Sequence, residues 1–198
     1  MSKSSERFEK VALRILKHCF PDMCSSLEAS DMPDLQDLSG FIGVEVVQAV
    51  AGDRAKSEAF IAKYLNKPLE EIPKEKMDKC EELGTTPLTY NGNLCGSSMA
   101  FWSDGENTVR VIKEKSAKLN SGHYAVFKKY GLFIFSDDVD YERIEDIIEI
   151  AYGEQLNLPK KFSYLFLYRY NVLYIIDVFE KSAKRKIFSD SEISEFYK

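Results

Sequence analysis

Apolar residues recur at intervals of three and four near the start of the chain, and this spacing predicts a helix over about residues 5–19. Residues 41–50 (FIGVEVVQAV) are apolar and β-branched and lie between Gly40 and Gly52, a pattern typical of a buried strand. A second helical pattern covers residues 53–65. The first third of the chain therefore predicts one buried strand between two helices.

The middle of the chain is less regular. Residues 66–105 contain prolines and a turn-rich stretch (TYNGNLCGSS), which predict an insertion or a mobile flap. Helical spacing returns over about 109–127 and again over 141–152. Short apolar segments at 131–136, 162–168 and 172–179 predict strands, and the charged tail at 181–198 could fray or dock.

This alternation of helices and strands predicts an α/β layered domain with a central sheet. A length of 198 residues fits a single domain over 1–198, with an insertion at about 53–107. The longest apolar stretch, at 171–179, is too short to span a bilayer, and the N-terminus lacks the apolar segment of a signal peptide. Four cysteines without a CxxC pair are typical of a reduced, cytoplasmic protein.

The charge balance restricts the partners. Lys and Arg number 27 against 32 Asp and Glu, which gives a net charge of −5. The overall field therefore repels phosphate, and any contact with nucleic acid needs a local basic patch. The sequence lacks a P-loop and a GxGxxG motif, so it gives no support for a nucleotide-dependent enzyme.

The first candidate for chemistry is Glu45, a single charge in the middle of an apolar strand. Burying an unpaired carboxylate costs several kcal/mol, so this side chain needs a basic partner, a metal ion or a water-filled end of the sheet. Asp34 follows Pro33 and precedes Glu45 by ten intervening residues. If these segments pair as a hairpin, the two carboxylates point to one place and form natural ligands for Mg²⁺.

Pro33-Asp34, ten residues and then Glu45-Val46-Val47 resemble the PD-(D/E)XK motif of the restriction-endonuclease-like nucleases. The resemblance covers roughly residues 5–50 and 108–136. It implies a three-layer core in which a central mixed sheet is flanked by helices, in the order helix, three strands, helix, strand. Val47 stands where the motif has its lysine. Some members carry that lysine on the following core helix, where Lys115 and Lys118 match.

The resemblance also implies a reaction, the hydrolysis of a phosphodiester bond with Mg²⁺ or Mn²⁺. Asp34, Glu45 and the Val46 carbonyl would hold the metal ion, and Glu9, or less favourably Glu6, would bind it through water. Lys115 or Lys118 would orient the attacking water and stabilise negative charge.

The expected partner is nucleic acid, with DNA favoured, and the assembly could be a homodimer; no membrane contact is expected. Two other interpretations stay open. The chain could be a catalytically inactive binding or immunity-type protein on the same fold, in which Glu45 only pairs with a basic side chain. It could also be a ligand-binding α/β protein of another fold.

Overall fold

The computed structural model describes residues 3–49, 52–82, 85–99, 105–136, 138–139 and 141–198. The chain divides into two compact units. We call Met1–Ala49 together with Ser103–Lys198 the main unit, and Val50–Trp102 the inserted unit. Every predicted site residue belongs to the main unit.

The elements follow one another along the chain, with the inserted unit between two halves of the main unit. The main unit begins with α1 (Lys3–Cys19), α2 (Pro21–Cys24), β1 (Leu27–Ala29), β2 (Leu35–Asp37) and β3 (Ile42–Ala49). The inserted unit contains α3 (Gly52–Tyr64), α4 (Lys74–Glu82), β4 (Thr85–Tyr90) and β5 (Asn93–Met99). The main unit then resumes with α5 (Glu106–Leu119), β6 (Lys129–Ser136), α6 (Ile144–Gln155), β7 (Phe162–Arg169), β8 (Val172–Asp177), β9 (Ser182–Ile187) and α7 (Asp190–Phe196).

The main unit is an α/β structure with one large mixed sheet in the order β1-β2-β3-β6-β7-β8-β9. Strands β3, β6 and β7 are parallel, and the remaining neighbours are antiparallel. The parallel strands are almost continuously apolar, as expected for strands covered on both faces. The predicted α/β class with a central sheet is therefore confirmed.

Each face of the sheet carries its own apolar core. Side chains of α5 and α6 pack on one face, around Leu132, Ile134 and Leu165. Side chains of α1 and α7 pack on the other face, around Val44, Phe133 and Phe166. Alternate residues of β3 belong to opposite faces, as the two-residue period of a strand requires. Glu45 therefore points to the α5 face, and its neighbour Val44 points to the α1 face.

The inserted unit has its own small core and a two-stranded antiparallel sheet. Strands β4 and β5 pair from Thr85 and Met99 to Tyr90 and Asn93. Ile61, Ile72 and Leu94 are buried together beneath them. The sequence predicts an insertion or a mobile flap over residues 66–105, but not the regular elements α4, β4 and β5 that the described part of this segment contains. The turn at Asn91 and Gly92, both at positive φ, closes a hairpin whose strands are too polar to stand out in the sequence.

Helix α5 also differs from the prediction. It ends at Leu119, so Tyr124 and Phe127 lie beyond it, and the predicted helix over 109–127 is wrong in its last third. The side-chain amide of Asn120 is the physical reason, because it donates to the carbonyls of Ser116 and Lys160, both at 2.9 Å, and accepts from the Lys160 N–H at 2.9 Å. These bonds hold the chain to the start of β7 instead of continuing the helix.

The N-terminus of α5 is held by the buried carboxylate of Asp138. One oxygen accepts from the backbone N–H groups of Asn107 and Thr108, at 2.7 and 3.2 Å. The other accepts from the hydroxyls of Thr108 and Ser136, at 2.6 and 3.1 Å. The carboxylate thus satisfies amides that a helix start leaves without partners and fixes α5 against the end of β6.

We expect Asp138→Ala to lower the free energy of unfolding by about 2–3 kcal/mol, because it removes a charged cap and leaves buried donors unpaired. Denaturant titration of the full chain measures this loss. Asp146→Ala is the matched control, since Asp146 is exposed and pairs with Arg143 at 3.3 Å. The control should change stability by less than about 1 kcal/mol. Equal losses in both variants would contradict a capping role for Asp138.

Candidate active site

The β2–β3 hairpin brings Asp34 and Glu45 together. Leu35 pairs with Val44 and Gln36 with Gly43, so the same register places Asp34 opposite Glu45. Residues opposite one another in an antiparallel pair point to the same face of the sheet. Asp34 lies one position before β2, where its carboxylate accepts a hydrogen bond from the Val46 N–H at 2.8 Å. The carboxylate thus replaces a backbone acceptor at the end of the hairpin.

Gly43 permits the close approach of the segments around this hairpin. A Cβ atom at this position would lie 2.7 Å from a side-chain carbon of Pro33 and 2.7 Å from one of Phe127. Such distances are too short for real contacts, so a larger residue would push Pro33 away from β3. Because Asp34 follows Pro33 directly, the glycine helps to set the position of the Asp34 carboxylate.

Glu45 is the most deeply buried carboxylate of the site, with its side chain 1% exposed. Its Oε1 atom lies 2.6 Å from the Lys115 Nζ and 3.2 Å from the Lys118 Nζ. The two lysines are three residues apart on α5, so one helix face presents both ammonium groups to the strand. The Lys115 side chain is 20% exposed and that of Lys118 is 48% exposed. The sequence allows a basic partner, a metal ion or an opening to water beside Glu45. The basic partner is observed, and the burial of the side chain excludes an opening to water.

The second oxygen of Glu45, Oε2, is buried without a hydrogen-bond partner. The hydroxyl of Tyr124 is buried beside this carboxylate and has no hydrogen bond of normal geometry either, although the phenol still helps to hold the pKa of Glu45 low. Burial and the neighbouring Glu45 carboxylate raise the pKa of this phenol well above its ordinary value. The Lys118 Nζ lies 5.5 Å from the centre of the Tyr124 ring. Tyr124 is thus a fourth side chain at Glu45, which the sequence analysis did not select because it placed this residue in a helix.

The two carboxylates of the hairpin differ in their protonation preference. Burial works against the charge of Glu45, but the hydrogen bond from Lys115, the Tyr124 phenol and both lysine charges hold its pKa below the ordinary value. Burial and the negative charge of Glu45 raise the pKa of Asp34, and the Val46 N–H and the lysines offset only part of that rise. Asp34 is therefore the carboxylate whose ionisation the fold opposes.

Glu9 reaches the same region from α1, on the opposite face of the sheet. It is 5% exposed, and burial followed by the charge of Asp34 raises its pKa. Glu6, the alternative on this helix, is exposed and pairs with Lys10 at 2.7 Å. Of the two glutamates that the sequence offers, Glu9 is therefore the one that lies near Asp34.

The Val46 carbonyl completes the set of predicted residues. In a strand, the N–H and C=O of one residue point to the same side. Since the Val46 N–H points to Asp34, the Val46 carbonyl is directed to this side of β3 as well. The structure thus gathers Asp34, Glu45, Lys115, Lys118 and the Val46 backbone at one place, with Glu9 within electrostatic range. In the described ranges, however, no three His, Cys, Asp or Glu side chains are grouped so that they could hold a metal ion.

We expect Asp34→Asn to raise the free energy of unfolding at neutral pH. A raised carboxyl pKa means that ionised Asp34 destabilises the folded state above that pKa, while the asparagine oxygen can still accept from Val46. The advantage of the variant should shrink as the pH falls through the raised pKa of Asp34. Denaturant unfolding of both proteins at several pH values measures it.

The control for this prediction is the neighbouring Asp37→Asn. The hydroxyls of Ser26 and Ser39 hold the pKa of Asp37 below its ordinary value. Ionised Asp37 therefore stabilises the fold above the ordinary aspartate pKa of 3.8, and its asparagine variant should be less stable than the wild type at neutral pH. An Asp34→Asn protein that is also less stable at neutral pH would contradict the charge repulsion described here.

The two lysines should differ in their contribution to stability. Lys115→Met removes the shorter and more buried contact to Glu45, and we expect a loss of about 2–3 kcal/mol because a buried charge loses its main partner. Lys118→Met removes a half-exposed contact and should cost less than about 1 kcal/mol. Equal losses, measured by denaturant titration, would contradict the unequal sharing of Glu45.

None of the helices in the described part of the chain combines the length and the apolar character that a bilayer crossing requires. No protein-family model matches the sequence, and neither the curated proteins nor the solved structures include one that matches it. The interpretation of the site therefore depends on its own geometry.

Proposed function

We propose that this protein is a restriction-endonuclease-like nuclease that hydrolyses phosphodiester bonds of DNA with Mg²⁺ or Mn²⁺. One observation carries the proposal: Asp34 and Glu45 lie opposite each other in one hairpin, and Glu45 is bonded to two lysines from α5. Two acids and a lysine at one place are the functional groups that phosphodiester hydrolysis uses, since its catalysis consists largely of positioning and charge stabilisation.

The order of elements supports the same conclusion. Helix α1, the strands β1, β2 and β3, helix α5 and strand β6 follow the helix, three strands, helix, strand order of the nuclease core. The inserted unit separates β3 from α5 without changing this order. Strand β2 is antiparallel to both of its neighbours, while β3 and β6 are parallel.

The replacement of the motif lysine has a structural explanation. Val47, two residues after Glu45, points to the same face and packs against the apolar core beneath α5. An ammonium group at this position would replace a partly buried apolar side chain that packs against this core. Lys115 reaches the Glu45 carboxylate from α5 instead, so a lysine contacts the acid although the strand does not supply it.

The residues present fit a hard divalent cation. Their donors are carboxylate and carbonyl oxygens, which Mg²⁺ and Mn²⁺ prefer. Glu45 Oε2 is buried without a hydrogen bond of normal geometry. Together with burial, the charge of Glu45 raises the pKa of Asp34, and the charge of Asp34 raises the pKa of Glu9. A cation held by these oxygens would compensate the buried charge of Glu45 and lower the raised pKa values of Asp34 and Glu9. Two carboxylates and one carbonyl suffice as the ligands from the protein, because Mg²⁺ keeps several of its waters as further ligands.

Each residue then has a defined task. Asp34, Glu45 and the Val46 carbonyl would hold the cation, and Glu9 would contribute through water. When bound, the cation polarises the phosphate and lowers the pKa of the attacking water. Lys118, with its half-exposed ammonium, orients that water and stabilises negative charge on the phosphate. Lys115 holds the Glu45 carboxylate in place.

A second candidate function is a catalytically inactive binding protein on the same fold. The observation that favours it is that both lysines bond to Glu45 Oε1, so that the buried charge is compensated without a metal ion. In that protein Asp34 and Glu45 would be structural residues only. The two candidates differ in whether the site turns over a substrate.

The deciding experiment incubates the protein with labelled single-stranded DNA, duplex DNA and RNA in the presence of Mg²⁺ or Mn²⁺. We expect cleavage of DNA that EDTA abolishes and that Glu45→Gln and Asp34→Asn each reduce by about 10²-fold or more, because each removes a charge that acts on the transition state. Glu28→Gln, on the exposed part of β1, is the matched control and should cleave like the wild type.

Cleavage that persists unchanged in Asp34→Asn would indicate a contaminating nuclease and overturn the site. A folded wild-type protein that cleaves none of these substrates would favour the inactive binding protein.

A further inference from the structure

Four lysines line the edge of the sheet at which two parallel strands begin. Lys128 precedes β6 and Lys129 is its first residue, and Lys160 and Lys161 directly precede β7. We call Lys128, Lys129, Lys160 and Lys161 the lysine edge. Strands β6 and β7 are neighbours and pair from Tyr130 and Phe162 onward, so the backbone segments that carry the two lysine pairs lie about 5 Å apart across the sheet.

The lysine edge carries uncompensated positive charge. In the described part of the chain, none of its ammonium groups forms an ion pair. The Nζ atoms of Lys129, Lys160 and Lys161 donate instead to neutral oxygens, namely the Tyr164 hydroxyl at 2.8 Å, the Tyr124 carbonyl at 3.4 Å and the Leu156 carbonyl at 2.8 Å.

Some lysines elsewhere on the surface form ion pairs. Lys10, Lys113, Lys181 and Lys198 each pair with a glutamate. The lysine edge therefore groups four positive charges that no acid neutralises in the described part of a protein whose net charge is −5.

Aromatic rings support these side chains. The Nζ atoms of Lys128 and Lys129 lie 5.7 and 5.9 Å from the centre of the Phe41 ring, which precedes β3. Lys129 also lies 4.9 Å from the Tyr164 ring, and Lys160 lies 5.9 Å from the Tyr130 ring. Contacts of ammonium groups with ring faces restrict their rotamers, so less side-chain entropy is lost when a ligand binds.

The lysine edge continues into the candidate active site through the segment that contains Tyr124. The Lys160 Nζ lies 3.4 Å from the carbonyl oxygen of this residue. On the other side, the Lys118 Nζ lies 5.5 Å from its ring and 3.2 Å from Glu45 Oε1. Asn120 ties the end of α5 to the backbone of Lys160. Lys160 and Lys118 therefore both lie against Tyr124, so positive charge is present at the start of β7 and again beside Glu45.

We infer that the lysine edge binds the phosphates of a polynucleotide whose backbone leads past Tyr124 to Asp34 and Glu45. A row of separate cations, continued by Lys118, suits a ligand with repeated negative charges rather than a single phosphate. The backbone contacts position the strand without regard to sequence. This inference rests on the proposed function, since it names the surface by which an acidic protein holds its nucleic-acid substrate.

The test is the salt dependence of binding, measured by fluorescence anisotropy with a labelled duplex and a labelled single strand of DNA. The wild-type chain is kept in EDTA, so that binding is observed without cleavage. For each phosphate contact, the slope of log K against log salt changes by about 0.9 for a duplex and about 0.7 for a single strand. Lys128→Gln/Lys129→Gln and Lys160→Gln/Lys161→Gln should each lower the slope for the duplex by up to about 2 and weaken binding by about 10-fold or more.

Lys184→Gln/Lys186→Gln is the control with the same change of charge. These lysines lie on β9, opposite Ile175 and Leu173 of β8, and therefore away from the start of β7. The control should keep the wild-type slope. The melting temperature of each variant shows that it is folded, and labelled polyglutamate tests whether any polyanion binds equally well.

The outcomes separate this inference from the proposed function. Equal loss of binding in the β9 control, or equal binding of polyglutamate, would overturn the lysine edge as a polynucleotide surface even if the protein cleaves DNA. Loss confined to the two lysine-edge variants would support it even if the wild type cleaves nothing, and the proposed catalysis alone would then fail.

Discussion

The main unit is organised around one buried negative charge. Glu45 occupies a strand that is otherwise apolar, and two lysines from α5 compensate it. Such a pair seldom adds stability over an apolar replacement, because desolvation of the charges offsets their attraction. The ion pair instead restricts the geometry of the fold, because the Glu45 carboxylate can be accommodated only when the lysines of α5 lie opposite it on β3. Asp34, one position before the neighbouring strand β2, is held beside this pair by the Val46 N–H, in a position where its own charge is opposed.

The carboxylates around Glu45 include two with raised pKa values, Asp34 and Glu9. A fold that gains nothing from ionised Asp34 nevertheless keeps an aspartate opposite a buried glutamate, with a further glutamate from α1 nearby. Clusters of carboxylates with raised pKa values are more typical of functional sites than of structural ion pairs. The lysines fit both a structural and a catalytic role, and so they carry less weight than the acids.

Much of the site could be predicted because the relevant segments are short and locally strong. The apolar run around Glu45 predicts a buried strand, and the ten residues after Asp34 allow a hairpin return. Strand β9 was missed because its sequence, SAKRKI, is charged, as is common for an edge strand. The end of α5 was missed because Asn120 bonds to Lys160, a residue 40 positions away that local spacing cannot reveal. Tyr124 was missed for the same reason.

The inserted unit interrupts the chain between the two halves of the site, since Lys115 follows Glu45 by 70 residues. During synthesis on the ribosome, the hairpin with its acids emerges well before the helix that neutralises them. Until α5 has emerged, the nascent chain contains an apolar strand whose Glu45 carboxylate lacks its lysine partners. Because the intervening residues have a core of their own, they can fold while the chain waits, which shortens the flexible loop that must close. The order of emergence thus makes completion of the candidate active site a late event in the maturation of the chain.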